Sequence, residues 1–163
     1  MAGMKTAVVY YSLDGNCAFV AKQIKTMLNA DLVRLQTQDE KQRGFIGKLF
    51  WGGGMVVLGK KPPLKPYAFD PSVYDLIVIG APVWAGSPAP PIHTFTDGAG
   101  ITGKKIALFV CHGGGMRNAL EKFRSWLTGN EISAEADFVS PIKNSEETKR
   151  RIADWVKGLE GKE

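Results

Sequence analysis

Short runs of apolar residues, rich in Val and Ile and each ended by a turn signal, recur at 5–11, 74–80 and 105–111, with a weaker one at 134–139. Runs of this length and composition read as buried β-strands. A fifth run, "DLVRL" at 31–35, alternates apolar and polar residues and suits a place near a sheet edge. Between the runs, apolar residues recur with helical spacing at 15–29, 91–97, 116–128 and 145–159. The last of these opens with Asn144 and Ser145 as capping residues and Glu146 and Glu147 in its first turn, which favours a helix start there.

Strand and helix alternate along the chain, and such alternation predicts a parallel sheet covered by helices on both faces. Ligands of these sheets sit beyond the carboxyl ends of the strands, where strand order reverses. Three loops occupy those ends: 12–17, 81–91 and 112–115. The segment 37–69 breaks the alternation with "LFWGGGMVVLG" and the basic, proline-rich "KKPPLKPY". It reads as an irregular insertion, either laid over the sheet and followed by an extended connection, or forming a flap beside the ligand that carries Phe50 and Trp51.

At 163 residues the chain fits one domain spanning 1–163, since chains of about this length bury roughly two-thirds of their unfolded surface. No apolar run reaches the roughly 18 residues of a membrane span, and the first residues lack the pattern of a signal peptide. The expected compartment is the cytoplasm. The net charge of +5 comes from scattered Lys and Arg, clustered only at "GKK" (59–61) and "KRR" (149–151), so it reads as a solvated basic surface rather than a nucleic-acid footprint. Cys17 and Cys111 are far apart in sequence and form no CxxC pair, which supports neither a disulfide framework nor a zinc site.

The first loop, "SLDGNC", joins a strand to a helix, the layout in which backbone N–H groups hold a phosphate. Gly15 permits a tight turn and close backbone approach. The second loop, "GAPVWAGSPAPP", fixes the Trp84 indole on a stiff Pro-flanked segment, a good face for stacking a planar ring. The third, "VCHGGGMRN", lets backbone approach a flat ligand without intervening side chains.

These three segments resemble those of the flavodoxin-like FMN-binding family, and the resemblance runs from 5 to 158. It implies a five-stranded parallel sheet of order 2-1-3-4-5 in a three-layer αβα arrangement. FMN would lie at the carboxyl ends of the first, third and fourth strands. It implies that Ser12, Asp14, Gly15, Asn16 and Cys17 lie at the phosphate. Pro82, Val83, Trp84, Ala85, Gly86 and Ser87 would border the flavin ring, with Cys111, His112, Gly113 and Gly114 on its other side. The implied activity is electron transfer or flavin-dependent reduction of a small acceptor, with a redox partner protein or small molecule as counterpart and a monomeric or homodimeric state. Family carriers are typically acidic and this chain is basic, so carrier and reductase stand as equal alternatives.

The family's phosphate loop reads Ser/Thr-x-Thr-Gly-Asn-Thr. Ser12, Gly15 and Asn16 match, whereas Asp14 and Cys17 replace hydroxyl residues. A thiol donates weakly and a carboxylate not at all. At about 4 Å from a phosphate, and an effective dielectric near 20, a carboxylate costs about 4 kcal/mol per charge. Asp14 can instead accept the N–H groups of Asn16 and Cys17 and so stand in for the phosphate. The alternative function is then a flavodoxin-fold binding protein with a closed FMN site. A minor rival is a cysteine phosphatase, because Cys111 and Arg117 are separated by five residues between a strand and a helix. His93 reads as a surface residue of its helix, and Asp75 as a turn or edge residue.

Overall fold

The computed structural model describes residues 3–38 and 61–161. Within these, β1 (Thr6–Tyr11), α1 (Asn16–Leu28) and β2 (Asp31–Leu35) are followed by a 3₁₀ turn at Pro71–Val73 and by β3 (Leu76–Trp84). A two-residue strand, β4 (Ser87–Pro88), leads into α2 (Pro90–Gly98), then β5 (Lys105–His112), α3 (Ala119–Ser125), β6 (Glu131–Val139) and α4 (Ser145–Glu160). The main sheet runs β2-β1-β3-β5-β6 and its neighbouring strands pair in parallel, while β4 pairs antiparallel with the end of β3. Numbering the five main strands alone, this is the expected order 2-1-3-4-5.

Alternation along the buried strands sorts the core into two layers. Val9, Tyr11, Ile77, Ile79, Leu108 and Val110 pack on one side with Ile92 and Phe95 of α2 and Phe123 of α3. Val8, Tyr10, Val78, Phe109 and Cys111 pack on the other with Val20 and Ile24 of α1 and Ile152 and Val156 of α4. The sheet is thus covered on both faces, the three-layer arrangement expected. Gly80 has a packing reason to lack a side chain. A β-carbon there would stand inside the ring of Phe109, its register partner on β5.

Several boundaries differ from the sequence reading. β3 runs on to Trp84, so Pro82 to Trp84 lie on a strand rather than in a loop. Pro82 accepts this because it sits beyond the ladder with β1, whose last register pair with β3 is Tyr10 and Gly80. The helix α3 begins only at Ala119, because Arg117 adopts φ 46°, a left-handed conformation that no helix interior contains. β6 begins three residues before the expected 134, with Ser133 bulging between the pairs Ile106–Ile132 and Ala107–Ala134.

Of the irregular segment 37–69, positions 39–60, and with them Phe50 and Trp51, lie outside the described residues. The remainder is tied down. Lys65 N–H donates to Gln36 O at 2.7 Å, the Thr94 hydroxyl donates to Pro62 O at 2.7 Å, and Phe69 stacks on Tyr74 with centroids 5.6 Å apart. Asp75 joins β1 to β3: its carboxylate accepts Lys5 N–H at 2.7 Å, and its own N–H donates to Lys5 O at 2.7 Å.

Candidate functional site

The three loops meet at the carboxyl ends of β1, β3 and β5. A cleft of about 260 Å³ opens there, lined by Asp14, Asn16, Pro82, Val83, Trp84, Cys111, His112, Gly113 and Ser140. Ser12, Gly15, Cys17, Ala85, Gly86, Ser87 and Gly114 do not line it.

In the first loop Gly15 takes φ 95°, the positive-φ conformation anticipated for it. Gly15 N–H donates to Ser12 Oγ at 3.2 Å. Asp14 accepts Asn16 N–H on Oδ1 at 3.0 Å and Asn16 Nδ2 on Oδ2 at 3.1 Å. The carboxylate therefore holds both nitrogens of Asn16, while the bonds it makes do not extend to Cys17 N–H. Asp14 is exposed to solvent. Water screening reduces the repulsion of a phosphate at 4 Å toward about 1 kcal/mol.

The second loop is a two-residue hairpin. Ala85 and Gly86 have φ 48° and 76°, positive at both central positions as a type I′ turn requires. The turn returns the chain to pair Ser87 with Trp84 and presents the half-buried indole at the cleft wall, edge-on to Tyr11 at 5.7 Å. Ser87 is buried and its hydroxyl donates to Pro88 O at 2.9 Å.

In the third loop Gly114 N–H donates to His112 Nδ1 at 3.1 Å, so Nδ1 carries no proton. The hydrogen then resides on Nε2, which donates to Asp137 Oδ2 at 2.8 Å. The two bonds orient the imidazole and anchor the loop to β6. The phosphatase arrangement is not assembled. Cys111 faces the α1 side of the sheet, Gly114 N–H is already occupied by His112, and the stem of Arg117 lies against Gly86, with Cδ 3.1 Å from where a β-carbon would stand.

The structure also brings together residues the sequence kept apart. Cys17 and Cys111 are both buried in the layer beneath α1. Burial, and then the hydrogen bond with the Cys111 side chain, push the Cys17 thiol well above its ordinary pKa. Ser140, at φ 40°, and Ile142 were not foreseen. Ser140 N–H donates to His112 O at 2.8 Å, and Ile142 N–H donates to Asn16 Oδ1 at 3.1 Å, so the β6–α4 loop closes the site. A Ser-Pro turn at the end of the last strand is the sequence signal that could have marked it.

Solved structures match this arrangement over most of its length. A flavoprotein from Lactobacillus acidophilus in complex with FMN is 25% identical, with a TM-score of 0.74, covering 87% of this chain and 98% of that one. The chain has a flavodoxin-like fold. A Bacteroides eggerthii chain described as a flavoprotein shares this flavodoxin-like fold with a TM-score of 0.77 at 19% identity, covering 95% of this chain and 97% of its own. The two-electron reduced flavodoxin of Megasphaera elsdenii has a TM-score of 0.58 at 18% identity, covering 93% and 98%. No protein-family model and no curated protein matches the flavodoxin-like chain by sequence.

Proposed function

We propose that the chain binds FMN non-covalently in this cleft and acts as a redox protein. The observation that carries the reading is the convergence of Trp84, His112, Gly113 and the first loop on one cleft at the strand ends. Its volume lies just under the range of pockets that enclose a whole ligand, which fits a flavin ring with an edge left outside. The Lactobacillus acidophilus neighbour, a complex with FMN, supports the same cofactor. Trp84 would stack on the ring, the Gly113 backbone would face it without a side chain, and Ser12, Gly15, Asn16 and Cys17 would supply the phosphate donors. Bound there, FMN supplies one- or two-electron chemistry, and the protein contributes orientation and electrostatics.

Reduction of a small acceptor is favoured over dedicated electron carriage. The third loop offers glycines where an aromatic would cover the ring, and the surface is basic where acidic docking would be expected of a carrier. Titration of flavin-free protein with FMN tests the reading. Quenching of flavin fluorescence at micromolar or lower concentration is the expected result, and unquenched flavin at high protein concentration refutes it.

A second reading has its own observation. Asp14 already occupies Asn16 N–H, which suits a loop that replaces the phosphate with its own carboxylate and leaves the surface for protein binding. If Asp14→Thr binds FMN and the wild type does not, this second reading replaces the first.

A further inference from the structure

Arg117 closes the third loop at φ 46°, a left-handed conformation that Gly or Asn adopts at less cost. It does so directly after Gly113, Gly114 and Gly115 and before Asn118. A long side chain kept on such a backbone points to a use for that side chain. Its stem runs along the hairpin tip of the second loop: Cβ, Cγ and Cδ lie 3.6, 3.8 and 3.1 Å from where a β-carbon of Gly86 would stand. The guanidinium begins one bond beyond Cδ and so stays beside the hairpin that carries Trp84. Arg117 is exposed, and among the described residues it makes no hydrogen bond or ion pair. Arg124 in α3, by contrast, is tied to Glu135 at 2.8 and 2.6 Å. An unpaired guanidinium on a fixed stem offers its planar fork of donors to an oxyanion. The cleft lining supplies no Lys or Arg of its own and includes the Asp14 carboxylate.

We propose that Arg117 selects flat acceptors that carry an oxyanion, a carboxylate or sulfonate, by gripping that group at the hairpin edge of the cleft. The proposal rests on the reading of the cleft as a flavin site and names the class of acceptor that site serves. An acceptor lying on the ring face left open by Gly113 and Gly114 is on the side of Arg117, since one loop carries all three residues. Asp14, in the first loop, disfavours the opposite orientation by charge repulsion. Stacking holds the flat part of the acceptor whatever its charge, so the guanidinium supplies the discrimination. The net charge of +5 favours the approach of an anion. Gly86 is the shelf on which the stem rests, and a side chain there would displace it.

The test uses naphthoate and its neutral isostere naphthamide, which bind without being reduced, titrated calorimetrically into the full-length protein with FMN and without it. The wild type is expected to bind naphthoate about tenfold more tightly than naphthamide, the order of one charge-assisted contact at an exposed edge. Arg117→Gly, which accepts the left-handed turn without strain, should lose that preference while its affinity for naphthamide stays unchanged. Arg117→Lys should keep part of the preference. An arginine that only braces the hairpin would weaken both probes alike in Arg117→Gly. Lys143, exposed on the β6–α4 loop, is the control, and Lys143→Ala should keep the preference in full. The proposal is overturned if the wild type binds both probes alike or neither, if Arg117→Gly weakens both alike or retains the preference, or if Lys143→Ala loses it. A failure of FMN to bind strikes the flavin reading alone, and the preference for naphthoate is then read on the flavin-free cleft.

Discussion

Asp14 holds Asn16 twice, by its backbone N–H at 3.0 Å and by its side-chain nitrogen at 3.1 Å. The carboxylate thereby occupies a backbone donor at the start of α1 and adds a negative charge beside it. Asp14→Thr releases the donor and the charge together. We expect FMN to bind at least roughly tenfold more tightly, since about 1.4 kcal/mol corresponds to a factor of ten. The accompanying loss of a turn bond lowers stability by about 1 kcal/mol. Flavin quenching and urea unfolding measure the two effects separately, and unchanged affinity would mean that Asp14 does not compete with phosphate.

His112 is fixed from both sides, accepting on Nδ1 and donating from Nε2 to Asp137. Its side chain is only 8% exposed. Asp137→Ala leaves a buried donor without its acceptor, with an expected cost of about 1–3 kcal/mol. Urea unfolding gives the cost. Nitrogen chemical shifts of the wild-type imidazole should show the proton on Nε2, and a proton on Nδ1 would contradict the arrangement.

Gly80→Ala should be among the more damaging single-methyl additions in this chain. The new carbon would occupy the space of the buried Phe109 ring, and overpacking a core of this kind costs about 1–3 kcal/mol. Phe109→Leu in the same background should recover part of the loss. Additive effects in the double-mutant cycle would show that the two positions do not collide.

Tyr74 sets an alkaline limit. Burial, followed by the hydrogen bond to Asp31 at 2.8 Å, pushes its phenol up to about 12. Unfolded tyrosine ionises near pH 10, so between about pH 10 and pH 12 the unfolded chain releases a proton that the native chain retains. Stability from this group is complete below pH 10 and is lost as pH rises through that window. Urea midpoints in this range should fall more steeply for the wild type than for Tyr74→Phe, and parallel slopes would exclude Tyr74 as the cause.

Layering was legible in the sequence because each buried strand is a continuous apolar run and each helix keeps its period, whereas the strand order followed from the resemblance of the three loops to the flavodoxin-like family. β2 appears at the residues its alternation indicated, and α4 lies within one residue of its expected end. Boundaries failed where backbone conformation overrode composition. Pro82 reads as a strand breaker but stands beyond the ladder with β1, and Met116 to Asn118 read as helix until Arg117 turns left-handed. The three loops of the site were visible as glycine-rich strand ends. The closing contacts of Ser140 and Ile142, and the placing of Cys17 and Cys111 in one buried layer, depend on the sheet bringing distant segments together. No local spacing records that.

The cleft wall is assembled from the ends of β1, β3, β5 and β6, with no single segment supplying it. A partly folded chain therefore has nothing to offer a ligand, and ligand occupancy becomes a gauge of complete folding. Whatever settles in the cleft stabilises the whole domain by mass action, about 2.7 kcal/mol at a hundred times its dissociation constant. A thermal-shift survey of flavins and other planar anions would thus use the molecule's own cooperativity to choose its ligand.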